Sequence, residues 1–139
     1  MNQDIEIKAL ALMARSDICV VSSIDANGFP ATRAMLNRRD YTGMKQIYFS
    51  TNTSSQHVME YRDNPAASVY FHDPQLFQGL LLRGRMEVST DQQLKNNLWR
   101  DGDNIYYQLG PTDPDYCVML FTASNGRWYE DLGKHDFIV

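Results

Sequence analysis

The stretch Ile18-Cys19-Val20-Val21-Ser22-Ser23-Ile24-Asp25-Ala26-Asn27-Gly28-Phe29-Pro30-Ala31-Thr32-Arg33-Ala34-Met35-Leu36-Asn37 decides the fold class. Its first seven residues are rich in β-branched side chains, which favour a pleated strand. Asn27-Gly28 then marks a hairpin turn, because both residue types tolerate positive φ. The return strand, 30–37, alternates: Ala31, Arg33 and Met35 share one face, and Thr32, Ala34 and Leu36 the other. Two strands joined this tightly run antiparallel.

The same pattern continues outward. Upstream, Asp4 is placed to cap a helix through about Arg15, with Ile5 and Leu12 on its apolar side. Downstream, a turn near Tyr41-Thr42-Gly43 leads into a strand over 46–51. Thr53-Ser54-Ser55 offers capping hydroxyls to a helix over 56–62, which Asn64-Pro65 closes. Strands over 67–72 and 79–89 follow. Thr90-Asp91 then caps a helix carrying Leu94 and Leu98 at i, i+4 spacing. A strand over 116–122, a turn at Ser124-Asn125-Gly126 and a last strand over 127–131 complete the pattern. Six or seven strands in short hairpins, with two or three helices beside them, make a mainly β antiparallel barrel. No βαβ alternation, GxGxxG or P-loop motif suggests dinucleotide binding on a parallel sheet.

Composition narrows the function classes. The 139 residues suit one domain, 1–139, with 43% apolar and 22% charged residues. Net charge is −4, so no basic footprint for nucleic acid exists and any anion needs a local site. Cys19 and Cys117 lie in apolar runs without CxxC partners, as buried hydrophobes usually do, although their spacing does not exclude a disulfide. No apolar run reaches membrane-spanning length and no signal-like start is present, so a cytoplasmic protein is expected. His57, His72 and His135 show no metal-ligand spacing, and no metal site is expected.

The strongest local signal for a site is Phe49-Ser50-Thr51-Asn52-Thr53-Ser54-Ser55-Gln56-His57, a strand end running into a helix start. Free N–H groups at a helix start receive phosphate, and hydroxyls add donors. A plain helix cap explains the same residues. Arg33, mid-strand, and Arg38 beyond it supply cations for a chelating anion pocket, or are two solvated surface arginines. Trp99 reads as a core residue, and Trp128-Tyr129 as core, interface or ring-stacking residues.

In order and spacing, several segments resemble the pyridoxamine 5′-phosphate oxidase-like FMN-binding split-barrel superfamily, most closely its short general-stress-protein branch. They are Asn27-Gly28-Phe29-Pro30, Arg33-Ala34-Met35-Leu36-Asn37, Tyr48-Phe49-Ser50-Thr51-Asn52, Ser55-Gln56-His57, Asn64-Pro65-Ala66-Ala67-Ser68-Val69 and Leu82-Arg83-Gly84-Arg85-Met86-Glu87-Val88. The resemblance implies a split β-barrel homodimer with FMN at the interface. It implies that Arg33 and Arg38 approach the FMN phosphate, and that Ala34, Met35 and Leu36 line the isoalloxazine edge, partly through backbone groups. Ser50, Thr51 and Asn52 would meet the ring or ribityl chain. Ser55, Gln56 and His57 would complete the phosphate site, with Gln78 and Trp128 closing the pocket from the second protomer.

Two departures qualify that resemblance. Gln56-His57 stands where the oxidase carries a basic pair, and a free imidazole titrates near ~6.5. Weaker, pH-dependent FMN binding is expected. The segment Asp136-Phe137-Ile138-Val139 lacks the Arg- and His-bearing tail that grips pyridoxal phosphate, so vitamin B6 oxidation is not expected. The resemblance implies a flavin oxidoreductase taking hydride from a nicotinamide or other small-molecule donor. The alternatives are a non-catalytic flavin-binding protein of storage or stress sensing, and the same barrel holding a deazaflavin or haem.

Overall fold

A computed structural model describes all residues, Met1–Val139. The chain runs α1 (Gln3–Arg15), β1 (Ile18–Ile24), β2 (Pro30–Leu36), β3 (Tyr41–Thr42), β4 (Gln46–Asn52) and α2 (Gln56–Asp63). It continues through β5 (Ala66–Asp73), β6 (Gln78–Ser89), α3 (Gln92–Leu98), β7 (Tyr116–Glu130) and β8 (Gly133–Ile138). All eight strands join one antiparallel sheet in the order β2-β1-β5-β6-β7-β4-β3, with β8 on β7. This is the mainly β split barrel anticipated above, with three helices against it. None of them is long and apolar enough to cross a membrane.

Alternation does most of the work. On β1, Cys19, Val21 and Ser23 are buried while their neighbours are not, and on β4 the same holds for Ile47, Phe49 and Thr51. With Val69, Phe71, Leu80, Leu82, Phe121 and Trp128 they enclose one core, onto which α1 packs Ala9, Leu12 and Met13. Each such side chain contributes about 1.5–3 kcal/mol on burial. Both cysteines are free, and burial pushes the Cys19 thiol up to about 12, so neither serves as a thiolate.

Four local expectations change. The first hairpin takes positive φ only at Gly28, because Asp25 Oδ1 accepts from the Asn27 and Phe29 amides and holds a tighter Asx-type turn. Asn2, not Asp4, caps α1 by accepting from the Asp4 amide at 2.8 Å. Ser124-Asn125-Gly126 is not a turn; β7 runs straight through it. The real final turn is Asp131-Leu132, both at positive φ, and it leads into β8, a strand the pattern did not reveal.

Ser124 marks a bulge, since Gly84 pairs with Ala123 and Arg83 with Asn125. There β7 also changes partner along one edge, from β4 (116–122) to β8 (125–130). Gly84 sits so close to β7 that a Cβ would lie 1.9 Å from the Thr122 carbonyl oxygen. Gly84→Ala is therefore expected to cost about 2–3 kcal/mol, as overpacking does. A shift of the urea midpoint measures this, and an unshifted midpoint would show that the bulge relaxes freely.

Candidate functional site

The sheet closes incompletely. β2 has a strand partner only in β1, and β4 beyond Ile47 only in β7, so two backbone edges are left without a strand between them. In that seam Leu36, Arg38, Ser50, Thr51 and Asn52 line a cavity of about 150 Å³, with Tyr106 and Tyr107. Five residues singled out on two separate segments thus meet in one place. Leu36 is half-exposed there.

Arg33 points neither into bulk solvent nor into the seam cavity. Its Nη1 donates to the Val21 carbonyl (3.2 Å) and to the Tyr61 hydroxyl (3.3 Å), and its Nη2 to Ser23 Oγ (2.8 Å). Ser23 Oγ in turn donates to Glu60 Oε1 at 2.5 Å, and that carboxylate lies 3.5 Å from Arg33. Glu60 is 7% exposed, which explains the cation: a buried carboxylate needs a partner. Arg33 Nε makes no hydrogen bond within the chain, so one N–H of the guanidinium stays available for an anion.

The start of α2 keeps its donors free. Ser55 occupies the cap position but its hydroxyl makes no capping bond. The Gln56 and His57 amides have no backbone acceptor. Thr53 Oγ1 is buried beside the Cys117 thiol and lies outside the cavity lining. His57 Nε2 and Thr51 Oγ1 share a hydrogen bond of 2.8 Å, which links the helix start to the seam cavity. Burial, reinforced by the Arg33 charge and opposed by Glu60, lowers the His57 pKa below its ordinary 6.5. Near neutrality the imidazole is therefore mostly uncharged, so any titration of His57 lies at lower pH than the sequence alone suggests.

Other expectations are corrected. Arg38 is no free phosphate ligand: Nη1 and Nη2 donate to both Asp103 oxygens at 2.8 and 2.7 Å. Burial would raise the Asp103 carboxyl, but Arg38 and the Arg100 amide hold it below its usual range. Asn52 Nδ2 is engaged by Asp115. Met35 packs against the core, so only its backbone faces the seam edge, whereas Ala34 is exposed. Trp128 is wholly buried and cannot reach a second protomer, because it fills the barrel interior that its strand faces. Gln78 lies elsewhere, held by Arg15 and Glu130 beside Tyr70 and Phe77.

Asp103, Tyr106 and Tyr107 were not anticipated. They come from the loop after α3, and no local pattern there predicts that Arg38 will recruit it. An Asp followed by adjacent aromatics in a Gly-rich loop was the available signal.

The His57 shift has a consequence for stability. The unfolded chain takes up the imidazole proton near 6.5, the folded chain only at lower pH. Within that window the unfolded state binds more protons, so stability is full above it and falls as pH drops through it. Urea midpoints at pH 7.5 and 5.5 should converge in His57→Gln relative to the natural protein. An identical pH slope in the variant would remove His57 from this role.

Comparison with known proteins bears on family and fold. The sequence model of the pyridoxamine 5′-phosphate oxidase family matches residues 5–128. The pyridoxine/pyridoxamine 5′-phosphate oxidase of Legionella pneumophila (strain Lens) is 31% identical over 105 residues, covering 76% of this chain and 44% of that protein. The chain thus spans less than half the length of this curated relative. A Clostridium acetobutylicum structure, of a protein related to general stress protein 26 of B. subtilis, superposes with a TM-score of 0.92 at 36% identity, covering 100% of this chain and 97% of that one. At the level of fold alone, two more distant structures are similar. One is a pyridoxamine 5′-phosphate oxidase-related, FMN-binding protein of Nostoc punctiforme (TM-score 0.75, 17% identity, 96% and 87% covered). The other is a haem-binding protein of Mycobacterium smegmatis (TM-score 0.76, 14% identity, 99% and 59% covered). The match over residues 5–128 decides the matter: the chain belongs to the pyridoxamine 5′-phosphate oxidase family.

Proposed function

We propose that the chain binds FMN at the seam between β2 and β4 and acts, as a homodimer, as a flavin oxidoreductase with a nicotinamide or other small-molecule donor. The observation that carries this reading is the meeting of Leu36, Ser50, Thr51 and Asn52 in one cavity that His57 connects to the donor-rich start of α2. The free Nε–H of Arg33 and the open Gln56 and His57 amides suit a phosphate. The paired strand edges and the half-exposed Leu36 suit a planar, partly apolar ring. FMN, when bound, supplies hydride or electron transfer; the chain supplies binding, orientation and exclusion of water.

Charge argues for modest affinity. Arg38 is neutralised by Asp103, Arg33 is shared with Glu60, and His57 is mostly neutral. Phosphate binding favours the imidazolium, so affinity should rise as pH falls toward 6. Size argues for a second protomer: small-molecule pockets usually span roughly 300–1,000 Å³, and the seam holds about 150 Å³. A neighbouring chain would supply the missing walls.

Absorbance of the protein as purified, freed of small molecules by gel filtration, tests the cofactor: two broad visible bands support flavin, whereas a sharp Soret band would assign haem. Arg33→Ala alone strands the buried Glu60 at a cost of about 3 kcal/mol. The double variant Arg33→Ala/Glu60→Gln removes the pair as a unit. It should stay folded by circular dichroism and bind FMN at least about tenfold more weakly in a fluorescence titration. Unchanged affinity would move the phosphate away from Arg33. Reduction of bound FMN by reduced nicotinamide, followed at the visible band, separates an enzyme from a flavin store.

A further inference from the structure

On the outer face of the sheet, one register row is polar across five neighbouring strands. Thr32 on β2 pairs with Ser22 on β1, Ser22 with Ser68 on β5, Ser68 with Arg83 on β6, and Arg83 with Asn125 on β7. Register partners share a face of a sheet. The sequence neighbours Val21, Val69 and Leu82 take the core side, so this row faces outward. Arg85 stands two residues along from Arg83. All residues of this row but Thr32, with Arg85, line an open concavity of about 600 Å³, whose apolar lining includes Ile24 and Pro30.

The charge pattern there is unusual for this chain. It carries 17 acidic residues and a net charge of −4, yet no Asp or Glu lines the concavity. Six of its nine arginines, at 15, 33, 38, 39, 100 and 127, have carboxylate partners. Arg62, on α2, and Arg83 and Arg85 have none, and only the last two stand together on one strand. Asp136, in the adjoining groove, is held by Arg127 and Lys134. Asn125 Oδ1 accepts from Arg83 Nε at 2.9 Å, which fixes the guanidinium and leaves its terminal nitrogens without a protein acceptor. Ser22 Oγ lies 3.2 Å from Thr32 Oγ1, while Ser68 makes no side-chain bond.

Two like charges side by side repel, and a solvated surface usually intersperses acids among them. A tetrahedral oxyanion would relieve the repulsion. Guanidinium forks bind it in bidentate fashion, and adjacent hydroxyls add donors. We propose that the concavity floored by Ser22, Ser68, Arg83, Arg85 and Asn125 is an anion site for a small molecule bearing a phosphate or sulfate group. It shares no lining residue with the β2–β4 seam and stands independently of the flavin reading.

The test is a titration of ¹⁵N-labelled protein with inorganic phosphate, sulfate and phenyl phosphate at constant ionic strength held with KCl. Saturable shifts of the Ser68, Gly84, Arg85 and Asn125 amides are expected with each. Arg83→Gln/Arg85→Gln, an exposed pair whose loss leaves the remaining spectrum in place, should weaken them at least about tenfold. Ser68→Ala should weaken them less. Tighter binding of phenyl phosphate assigns an organic phosphate, and equal binding the free anion; both support the site. Shifts that KCl reproduces, that survive the double variant, or that are confined to Gln56 and His57 overturn it. So do shifts that follow protein concentration, which would mark a contact between copies.

Discussion

A carboxylate inside the barrel rim sets much of the local structure. Glu60 comes from α2 and is buried, so desolvation would be costly without compensation. Ser23 of β1 donates to it, Arg33 of β2 stands beside it, and Arg33 also reaches the Val21 carbonyl and Tyr61. Three elements are thereby held in one orientation. Tyr61 adds a bond to the Ser22 carbonyl at 2.9 Å, and burial pushes its phenol up to about 12, so it acts as a fixed donor. This cluster ties the body of α2 to β1 and β2, while the His57–Thr51 bond ties its first turn to β4.

The seam follows from how β7 is used. Fifteen residues long, it lends one edge to β6 and divides the other between β4 and β8 at the Ser124 bulge. Beyond Ile47, β4 is then pinned on one side only, and its far edge looks across to β2. The gap is partly roofed by the loop after α3, which Arg38 secures through Asp103 and through the Leu98 carbonyl. Behind it, Trp99, Tyr107 and Tyr116 form a separate aromatic cluster. The cation that the strand pattern offers to a ligand is thus used to hold the roof. Charge in the site is correspondingly spare.

Strands with clean alternation were legible: β1 and β4 bury one alternate face, and β2 half-buries Ala31, Arg33 and Met35. The helices were legible from capping residues and spacing, to within a residue or two at their ends. Ser124-Asn125-Gly126 misled because the same residues that make turns also make bulges. β8 escaped because Lys134, His135 and Asp136 lie on an exposed edge strand, where no apolar alternation is required. Leu36, Ser50, Thr51, Asn52 and His57 come together in space, since they lie at strand and helix ends that the fold makes neighbours. Trp128 and Gln78 lie apart from them, because burial and side-chain partners are properties of the whole packing.

The sequence by itself determined an antiparallel, mainly β barrel, a helix start rich in hydroxyls, and a mid-strand arginine, because periodicity and capping act over a few residues. Only the tertiary structure decided which charges remain available. Asp103 lies far along the chain from Arg38, and Glu60 from Arg33, and each pair forms because burial makes an uncompensated charge costly. It also left Arg83 and Arg85 without acids on a face that five strands build together. Long-range pairing of charge is not written in any local pattern.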